Sequence, residues 1–216
     1  MSPTALSGPE MASKSGATKR LVIFLHGLGS DGQDLIGLAP MLPLPDTHFC
    51  SPSAPFACDM APYGYQWFSL LDRDPARIVR EIAIATPILN AYIDAQLTRF
   101  NLQPKDVALI GFSQGSMMSL YTAPRRAKPI AGVVAISGAL RGSELLASDI
   151  RSRPPVCLIH GTADEVVPFS AMGEAEATLK ANNVPVTAHA RPGLGHGIDE
   201  LGIGVTIGFL KRVFGL

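Results

Sequence analysis

The chain alternates short runs of consecutive apolar residues with longer segments in which apolar residues recur every three or four positions. The runs are typical of strands buried on both faces of a sheet, and the recurring pattern is typical of helices that bury one face. This pattern predicts strands at 21–26, 47–51, 107–111, 130–137, 156–160 and 186–190, and helices at 35–41, from Asp74 through Tyr92, 114–123, 143–150, 170–182 and 199–214.

Several prolines and glycines bear on where the predicted helices bend, end or pack. Pro87 lacks the N–H that a helix interior needs, so we expect it to kink or break the helix that begins at Asp74. Gly202, Gly204 and Gly208 lie in the last helix, where close packing on the sheet is the preferred interpretation and a helix–helix dimer contact the alternative. Pro124 is expected to end the helix that begins at Gln114.

The alternation of strands with helices predicts an α/β protein built on a mostly parallel, doubly wound sheet with helices on both faces. A chain of 216 residues suits one domain, which we place at residues 20–216. Residues 1–19, rich in Ser, Gly, Pro and Lys, are interpreted as an N-terminal arm or an added edge strand. In such a sheet, chemistry collects in the loops at the carboxyl ends of the strands.

Composition narrows the possible functions. The chain is 47% hydrophobic and 17% charged, and its 18 basic and 18 acidic residues cancel. A neutral chain gives no electrostatic reason to expect nucleic acid or an anionic membrane as a partner. No segment resembles a secretory signal or a transmembrane span, so we expect no stable membrane insertion and a cytoplasmic location. Cys50, Cys58 and Cys157 form no C-x-x-C pair, and neither a disulfide framework nor a metal site is expected.

The segment Gly111-Phe-Ser-Gln-Gly115 matches the G-x-S-x-G pattern of a nucleophile elbow. It lies directly after a predicted strand and directly before a predicted helix, which is the context that the elbow requires. A tight turn there would expose the hydroxyl of Ser113, and small residues at 111 and 115 would let neighbouring backbone approach. Ser113 is therefore the candidate nucleophile.

A serine hydroxyl needs a base within hydrogen-bonding distance. Of the five histidines, only His189 and His196 come late enough for the chain order Ser, acid, His, and only His196 lies in a strand-end loop. The other four are interpreted as core histidines. Asp164, which follows a predicted strand, is the preferred acid over Asp149 and Glu165, and it would orient the imidazole of the base.

Two backbone N–H groups are candidates for an oxyanion hole, those of Leu28 and Gln114. The loop that contains Leu28 also reads Gly27-Leu-Gly29-Ser-Asp-Gly32, a dinucleotide-binding pattern. That alternative requires an acidic residue at the end of the second strand. Asp46 precedes that strand instead, so the dinucleotide interpretation is not preferred.

Four segments together resemble the phospholipase/carboxylesterase family, which includes acyl-protein thioesterases and small bacterial carboxylesterases. They are Leu25–Gly32, Gly111–Gly115, His160–Pro168 and Gly195–Gly197, and the resemblance runs from about Leu6 to the C-terminus. It implies a compact α/β-hydrolase without a large lid, often dimeric and without a cofactor. It also implies that Ser113, Asp164 and His196 form the triad, and that Leu28 and Gln114 supply the oxyanion donors. Ser116 departs from the family, which usually has Gly there.

The resulting prediction is a serine carboxylesterase acting on small-molecule esters through an acyl-enzyme. A thioesterase or lysophospholipase activity, and a catalytically silent binding protein on the same scaffold, remain as alternatives. The acyl pocket is expected to be apolar. Its candidate residues come from the aromatic loop and from the loop that bears Asp164; they are Trp67, Phe68, Leu71, Val166 and Phe169.

Overall fold

A seven-stranded sheet forms the centre of the protein, whose computed structural model describes residues 6–216. Residues 1–5 of the predicted N-terminal arm lie outside the described residues. The described residues form nine strands, of which seven belong to this sheet and two, β4 and β5, form a separate pair. They are β1 (Glu10–Met11), β2 (Arg20–Leu25), β3 (Thr47–Cys50), β4 (Phe56–Ala57), β5 (Tyr65–Gln66), β6 (Val107–Phe112), β7 (Gly132–Ile136), β8 (Val156–Gly161) and β9 (Val186–Arg191). The large sheet has the order β1-β3-β2-β6-β7-β8-β9, and all its pairs are parallel except β1 with β3. The predicted mostly parallel, doubly wound sheet is confirmed.

The central strands bury residues on both faces of the sheet, which explains their uninterrupted apolar runs. In β2, Leu21, Ile23 and Leu25 join one core cluster, whereas Val22 and Phe24 join the other. Side chains alternate between faces along a strand, so consecutive apolar residues feed two separate cores.

Helices cover both faces. They are α1 (Gly32–Ile36), α2 (Pro75–Phe100), α3 (Gln114–Arg125), α4 (Leu146–Asp149), α5 (Ser170–Ala181) and α6 (Glu200–Phe214). Buried residues of α2, α3 and α5 belong to the first core cluster, and those of α1 and α6 pack in the second. Two short 3-10 turns, Ala39–Met41 and Ser143–Leu145, occupy parts of segments predicted as longer helices.

The break expected at Pro87 does not occur, because α2 continues through it to Phe100. The proline removes only the hydrogen bond that would run to the carbonyl of Ala83. Both residues lie on the exposed side of the helix, where water can satisfy that carbonyl. The buried face, with Ile82 before the proline and Leu89 after it, holds the helix on the core. Pro124 likewise lies within the last turn of α3, not beyond it.

The glycines of α6 also differ from expectation. A Cβ at Gly202 would come within 2.9 Å of the Oδ1 of Asp199, which caps α6, and would make only an ordinary contact, at 3.5 Å, with Ile159 on β8. Among the described residues, a Cβ at Gly204 or Gly208 would meet no atom within 4 Å. Close packing on the sheet therefore does not require any of the three glycines, and the first leaves room for the helix cap.

The edge strand β1 is held by charged side chains. Glu10 accepts hydrogen bonds from Arg99 of α2 at 2.7 Å and from His48 of β3 at 3.0 Å. These contacts connect a two-residue strand to both the sheet and the longest helix.

The connection from β3 to α2 (residues 51–74) folds over the carboxyl edge of the sheet. It contains the small antiparallel pair β4–β5. An isolated bridge between Ser30 and Tyr65 links it to the loop after β2. Within residues 6–216 the fold carries no large inserted lid, in agreement with the prediction. None of the described helices is long and apolar enough to span a membrane.

Candidate active site

The turn between β6 and α3 holds Ser113 in an unusual backbone conformation. Its φ and ψ angles are 53° and −114°, a region that non-glycine residues rarely adopt. A Cβ at Gly111 would overlap the backbone of Gly115, and one at Gly115 would overlap the carbonyl of Leu25. The expectation that small residues are required on both sides of Ser113 is confirmed.

Three side chains from distant parts of the chain meet beside this turn. The Oγ of Ser113 lies 3.0 Å from the Nε2 of His196, and the Nδ1 of His196 lies 2.8 Å from the Oδ2 of Asp164. Ser113 follows β6, Asp164 follows β8, and His196 lies between β9 and α6. The structure thus brings the predicted nucleophile, acid and base together at the carboxyl edge of the sheet.

Asp164 is anchored by backbone as well as by His196. Its Oδ1 accepts hydrogen bonds from the N–H groups of Val166 and Val167, both at 2.9 Å, and its side chain is fully buried. Burial acts to raise the pKa of Asp164, but the hydrogen bonds from His196, Val167 and Val166 outweigh it and lower the pKa overall. The carboxylate is therefore charged and fixed in orientation at neutral pH.

The loop that carries His196 (residues 192–198) is packed against the loop that carries Asp164. The N–H of Ala163 donates to the carbonyl of Leu194, and the N–H of Gly193 donates to the Oγ1 of Thr162, both at 2.9 Å. A Cβ at Gly161 would overlap the carbonyl of Leu194, so only glycine permits this approach. The ring of Phe112 packs on the imidazole of His196, with 4.9 Å between centroids.

The buried histidine His26 has a structural role, as expected. Its Nε2 accepts a hydrogen bond from the N–H of Ala54 at 2.9 Å, so its Nδ1 carries the proton and donates to the carbonyl of Gly27 at 2.7 Å. Burial lowers the pKa of His26, which keeps the ring neutral.

His160 is also fully buried, but it lies close to the acid. Its Nε2 is 2.9 Å from the carbonyl oxygen of Val167 and 3.2 Å from the Oδ2 of Asp164. Its proton therefore lies between a backbone carbonyl and the carboxylate that also holds His196. Sequence reasoning assigned His160 to the core and did not foresee this contact.

Leu28 and Gln114, whose backbone N–H groups are the predicted oxyanion donors, both line the cavity beside Ser113. Within residues 6–216 neither N–H donates a hydrogen bond, so both are free to bind an oxygen atom there. The side chain of Gln114 has a different function. Its Oε1 accepts from the N–H of Trp67 at 2.8 Å and its Nε2 donates to the carbonyl of Phe68 at 2.7 Å.

The cavity beside Ser113 has a volume of about 420 Å³. Of the five predicted acyl-pocket residues, only Val166 lines it. Trp67 and Phe68 are fully buried in the core, where Trp67 donates through its Nε1 to the carbonyl of His26 at 3.0 Å. Leu71 is 69% exposed, and Phe169 packs against the core and the ring of His160.

Other side chains provide the apolar lining, and sequence reasoning missed them; they are Met60, Leu70, Ile78, Phe112, Met117 and Val167. The position of Met117, one helical turn after Ser113, is the signal that could have identified it, because residues four apart share a helix face. Two arginines, Arg73 and Arg141, also line the cavity.

The departure from the family pattern at Ser116 is accommodated by a second glycine. The hydroxyl of Ser116 is buried beneath the turn and has no hydrogen-bond partner within residues 6–216. A Cβ at Gly138 would overlap this hydroxyl. The absence of a side chain at 138 therefore provides the space that the extra hydroxymethyl group occupies.

The dinucleotide interpretation gains no support from the fold. Asp46 precedes β3, pairs with Lys19 at 2.9 Å and accepts from Ser15 at 2.6 Å. It therefore lies at the amino end of its strand, on the side of the sheet opposite the loop that begins at Gly27. A Cβ at Gly32 would overlap the carbonyl of Ser51, so close chain packing explains this glycine.

Comparisons with known proteins identify the family to which the chain belongs. The sequence model of the phospholipase/carboxylesterase family matches residues 6–214. The solved structure of esterase PE8 superimposes with a TM-score of 0.94 at 40% identity, covering 97% of this chain and 100% of that one. Lysophospholipase-like protein 1 of Mus musculus is 26% identical over 213 residues, in an alignment that covers 92% of this chain and 89% of the mouse protein. Acyl-protein thioesterase 1 of Kluyveromyces lactis is 28% identical over 185 residues, in an alignment that covers 79% of this chain and 81% of the yeast protein. The chain therefore belongs to the phospholipase/carboxylesterase family of α/β-hydrolases.

Proposed function

We propose that the protein is a serine carboxylesterase that cleaves small carboxylic esters through a Ser113–His196–Asp164 triad and an acyl-enzyme. The observation that carries the proposal is the continuous hydrogen-bond chain from the Ser113 Oγ through both nitrogens of His196 to the buried carboxylate of Asp164. Family membership and esterase neighbours support hydrolase activity independently.

In the proposed mechanism, the Oγ of Ser113 attacks the ester carbonyl while the Nε2 of His196 takes its proton. Asp164 holds the ring so that its Nδ1 carries a proton, and it stabilises the imidazolium that forms. The N–H groups of Leu28 and Gln114 bind the oxyanion. His196 then protonates the leaving alcohol, and water attacks the acyl-enzyme by the same steps in reverse.

Backbone strain at Ser113 is consistent with this role. A residue held at positive φ exposes its side chain at the apex of the turn, and such strain collects at functional sites. The N-terminus of α3 lies immediately after Ser113, so its partial positive charge also favours the oxyanion.

The acyl group of the substrate is proposed to lie against the apolar part of the cavity. We expect contacts from Val166, which was predicted from the sequence, and from Leu70, Ile78 and Met117. We do not retain Trp67 and Phe68 as contact residues. Their backbone instead connects the 51–74 segment to Gln114, which fixes the cavity wall.

Thioester hydrolysis is a second candidate, favoured by the similarity to the yeast acyl-protein thioesterase. The same triad would serve both reactions, and only the leaving group differs. The two activities are separated by comparing hydrolysis rates of acyl-coenzyme A thioesters and 4-nitrophenyl esters that carry acyl groups of equal length. If the thioesters were hydrolysed faster at every acyl chain length, we would assign thioesterase activity in place of esterase activity.

The test of the proposal is reaction with a fluorophosphonate probe, followed by identification of the labelled residue. We expect labelling at Ser113, none in Ser113→Ala, and full labelling in Ser170→Ala, which removes an exposed serine at the start of α5. A protein that binds esters but leaves Ser113 unlabelled would be a silent binding protein, and the proposal would be abandoned.

A further inference from the structure

The cavity beside Ser113 has an unbalanced charge. The chain as a whole is neutral, with 18 basic and 18 acidic residues. The described residues that line this cavity nevertheless include two arginines, Arg73 and Arg141, and neither aspartate nor glutamate. The mechanism proposed above uses neither arginine.

Arg141 is the more informative of the two. It lies in the loop after the carboxyl end of β7 and is half-buried. Its Nε is inaccessible to solvent and has no hydrogen-bond partner among the described residues. Within residues 6–216 its guanidinium forms neither a hydrogen bond nor an ion pair.

Three other buried or partly buried arginines of this protein have carboxylate partners. Arg125 pairs with Asp149, and Arg191 pairs with Asp199. Arg126 pairs with Asp94. Arg141 departs from these three, because the carboxylate whose charge acts on it, that of Glu174 on α5, forms no ion pair with it among the described residues, although both residues also line a second, neighbouring cavity.

A cation in this position carries an unrecovered desolvation cost. Burial lowers the pKa of Arg141, with the charge of Glu174 opposing that shift, yet a guanidinium remains protonated in proteins. A buried charge without a partner is unfavourable, and an anion that reaches it regains the lost interaction. Arg73, an exposed residue just before α2, adds a second cation to the same cavity.

We propose that the cavity selects esters that carry an anionic oxygen group, carboxylate or phosphate, and that Arg141 binds this group while Arg73 assists. This inference rests on the proposed function, because it names the substrate class of the same site. The planar fork of donors on a guanidinium matches both carboxylate and phosphate oxygens. A neutral ester of the same size would fill the cavity but leave Arg141 unpaired.

The experiment compares substrates that differ only in the charged group. Mono-4-nitrophenyl adipate against 4-nitrophenyl hexanoate tests an anion on the acyl side. On the alcohol side, 4-acetoxybenzoate tests a carboxylate and 4-acetoxyphenyl phosphate tests a phosphate, each against 4-acetoxybenzamide as the neutral substrate. Each result is the ratio of kcat/KM for the charged substrate to that for the neutral one, so it does not depend on the folded fraction of a preparation.

We expect a ratio above about 10 for at least one charged substrate, since a hydrogen bond to a charged group typically contributes about that factor or more. Arg141→Gln should reduce this ratio at least about 10-fold, and Arg73→Gln by less, because that side chain is exposed. Arg80→Gln, an exposed arginine of α2 outside the cavity, should leave the ratio unchanged.

Two results would overturn the inference. One is a ratio near or below 1 for all three charged substrates, and the other is a high ratio that survives Arg141→Gln. In either case hydrolysis of the neutral esters by Ser113 would leave the proposed function standing. Absence of any hydrolysis, charged or neutral, would instead contradict the proposed function itself.

Discussion

Arg191 and Asp199 form an ion pair that closes the loop carrying His196. Arg191 is the last residue of β9, and Asp199 caps α6 by accepting from the N–H of Gly202 at 2.8 Å. The guanidinium donates from Nε to both carboxylate oxygens, at 3.2 and 3.1 Å, and from a terminal nitrogen to one of them at 2.9 Å. The position of the proposed base therefore depends on a contact that touches none of the reacting atoms.

Arg191→Gln should reduce kcat about 10- to 100-fold with KM changed less than about twofold, because a small displacement of a catalytic group is costly. Arg191→Lys should recover part of the loss. The control is Arg77→Gln, which removes an exposed ion pair with Glu81 on α2. Steady-state kinetics on one neutral ester measures all three. Equal kcat in Arg191→Gln and Arg77→Gln would mean that the ion pair does not position His196.

The same ion pair predicts how stability depends on pH. Hydrogen bonding and the charge of Arg191 hold the pKa of Asp199 below its ordinary value of 3.8. A group whose pKa is lowered by folding stabilises the native state above its unfolded pKa, and that contribution is lost as pH falls through the folded pKa. Asp199→Asn, which retains a capping side chain, should therefore lower Tm at pH 7.

The difference in Tm between wild type and Asp199→Asn should stay constant from pH 7 to about pH 5 and shrink below about pH 4. Thermal unfolding across this range provides the measurement. A difference that grew on acidification would have the wrong sign for an ion pair.

Replacement by alanine should change the stability of the protein in opposite directions at two glycines, Gly115 and Gly204. In Gly115→Ala the new Cβ would overlap the carbonyl of Leu25, so we expect a loss of several kcal/mol and little folded protein. In Gly204→Ala the Cβ meets open space inside α6, and stability should rise by up to about 1 kcal/mol. Urea unfolding measures both. A destabilised Gly204→Ala would indicate a contact on this face of α6.

Most of the fold and the candidate triad could be predicted because their signals are local. A continuous run such as Val107–Gly111 can hardly be other than a buried strand, and a strand followed by G-x-S-x-G and a helix specifies the turn at Ser113. The assignment of His196 as base and Asp164 as acid followed from the chain order of the triad and from the position of each residue after a strand. The rule that chemistry collects at the carboxyl ends of strands also covers Arg141, which follows β7, but no motif marked it.

The cavity lining could not be predicted because it depends on which side of a loop faces the core. Trp67 and Phe68 are large and apolar, so a loop near the site favoured them as substrate contacts. In the fold they fill the core beneath the loop, and Leu70, two residues later, lines the cavity. Composition identifies aromatic residues in a loop, but only the folded path shows which of them point outward.

Asp164→Asn tests the role of the acid. The amide N–H can donate a hydrogen bond to the Nδ1 of His196 and so favour the tautomer that carries its proton on Nε2, which should reduce kcat on the order of 10⁴-fold with little change in KM. Glu165→Gln, at the exposed neighbouring position, should retain near-normal kcat. Steady-state kinetics of both variants at pH 8 gives the comparison. Near-normal turnover by Asp164→Asn would move the role of the acid to another group.

The central claim, that Ser113 forms an acyl-enzyme, is tested most directly by mass spectrometry of the enzyme quenched during turnover. Rapid acid quenching of the enzyme with 4-nitrophenyl acetate, followed by mass spectrometry of its peptides, should show one acetyl group on Ser113. The adduct should appear together with a burst of 4-nitrophenol and be absent from Ser113→Ala. Hydrolysis by the wild type with no acyl group at Ser113 at any quench time, and with turnover retained in Ser113→Ala, would contradict the account.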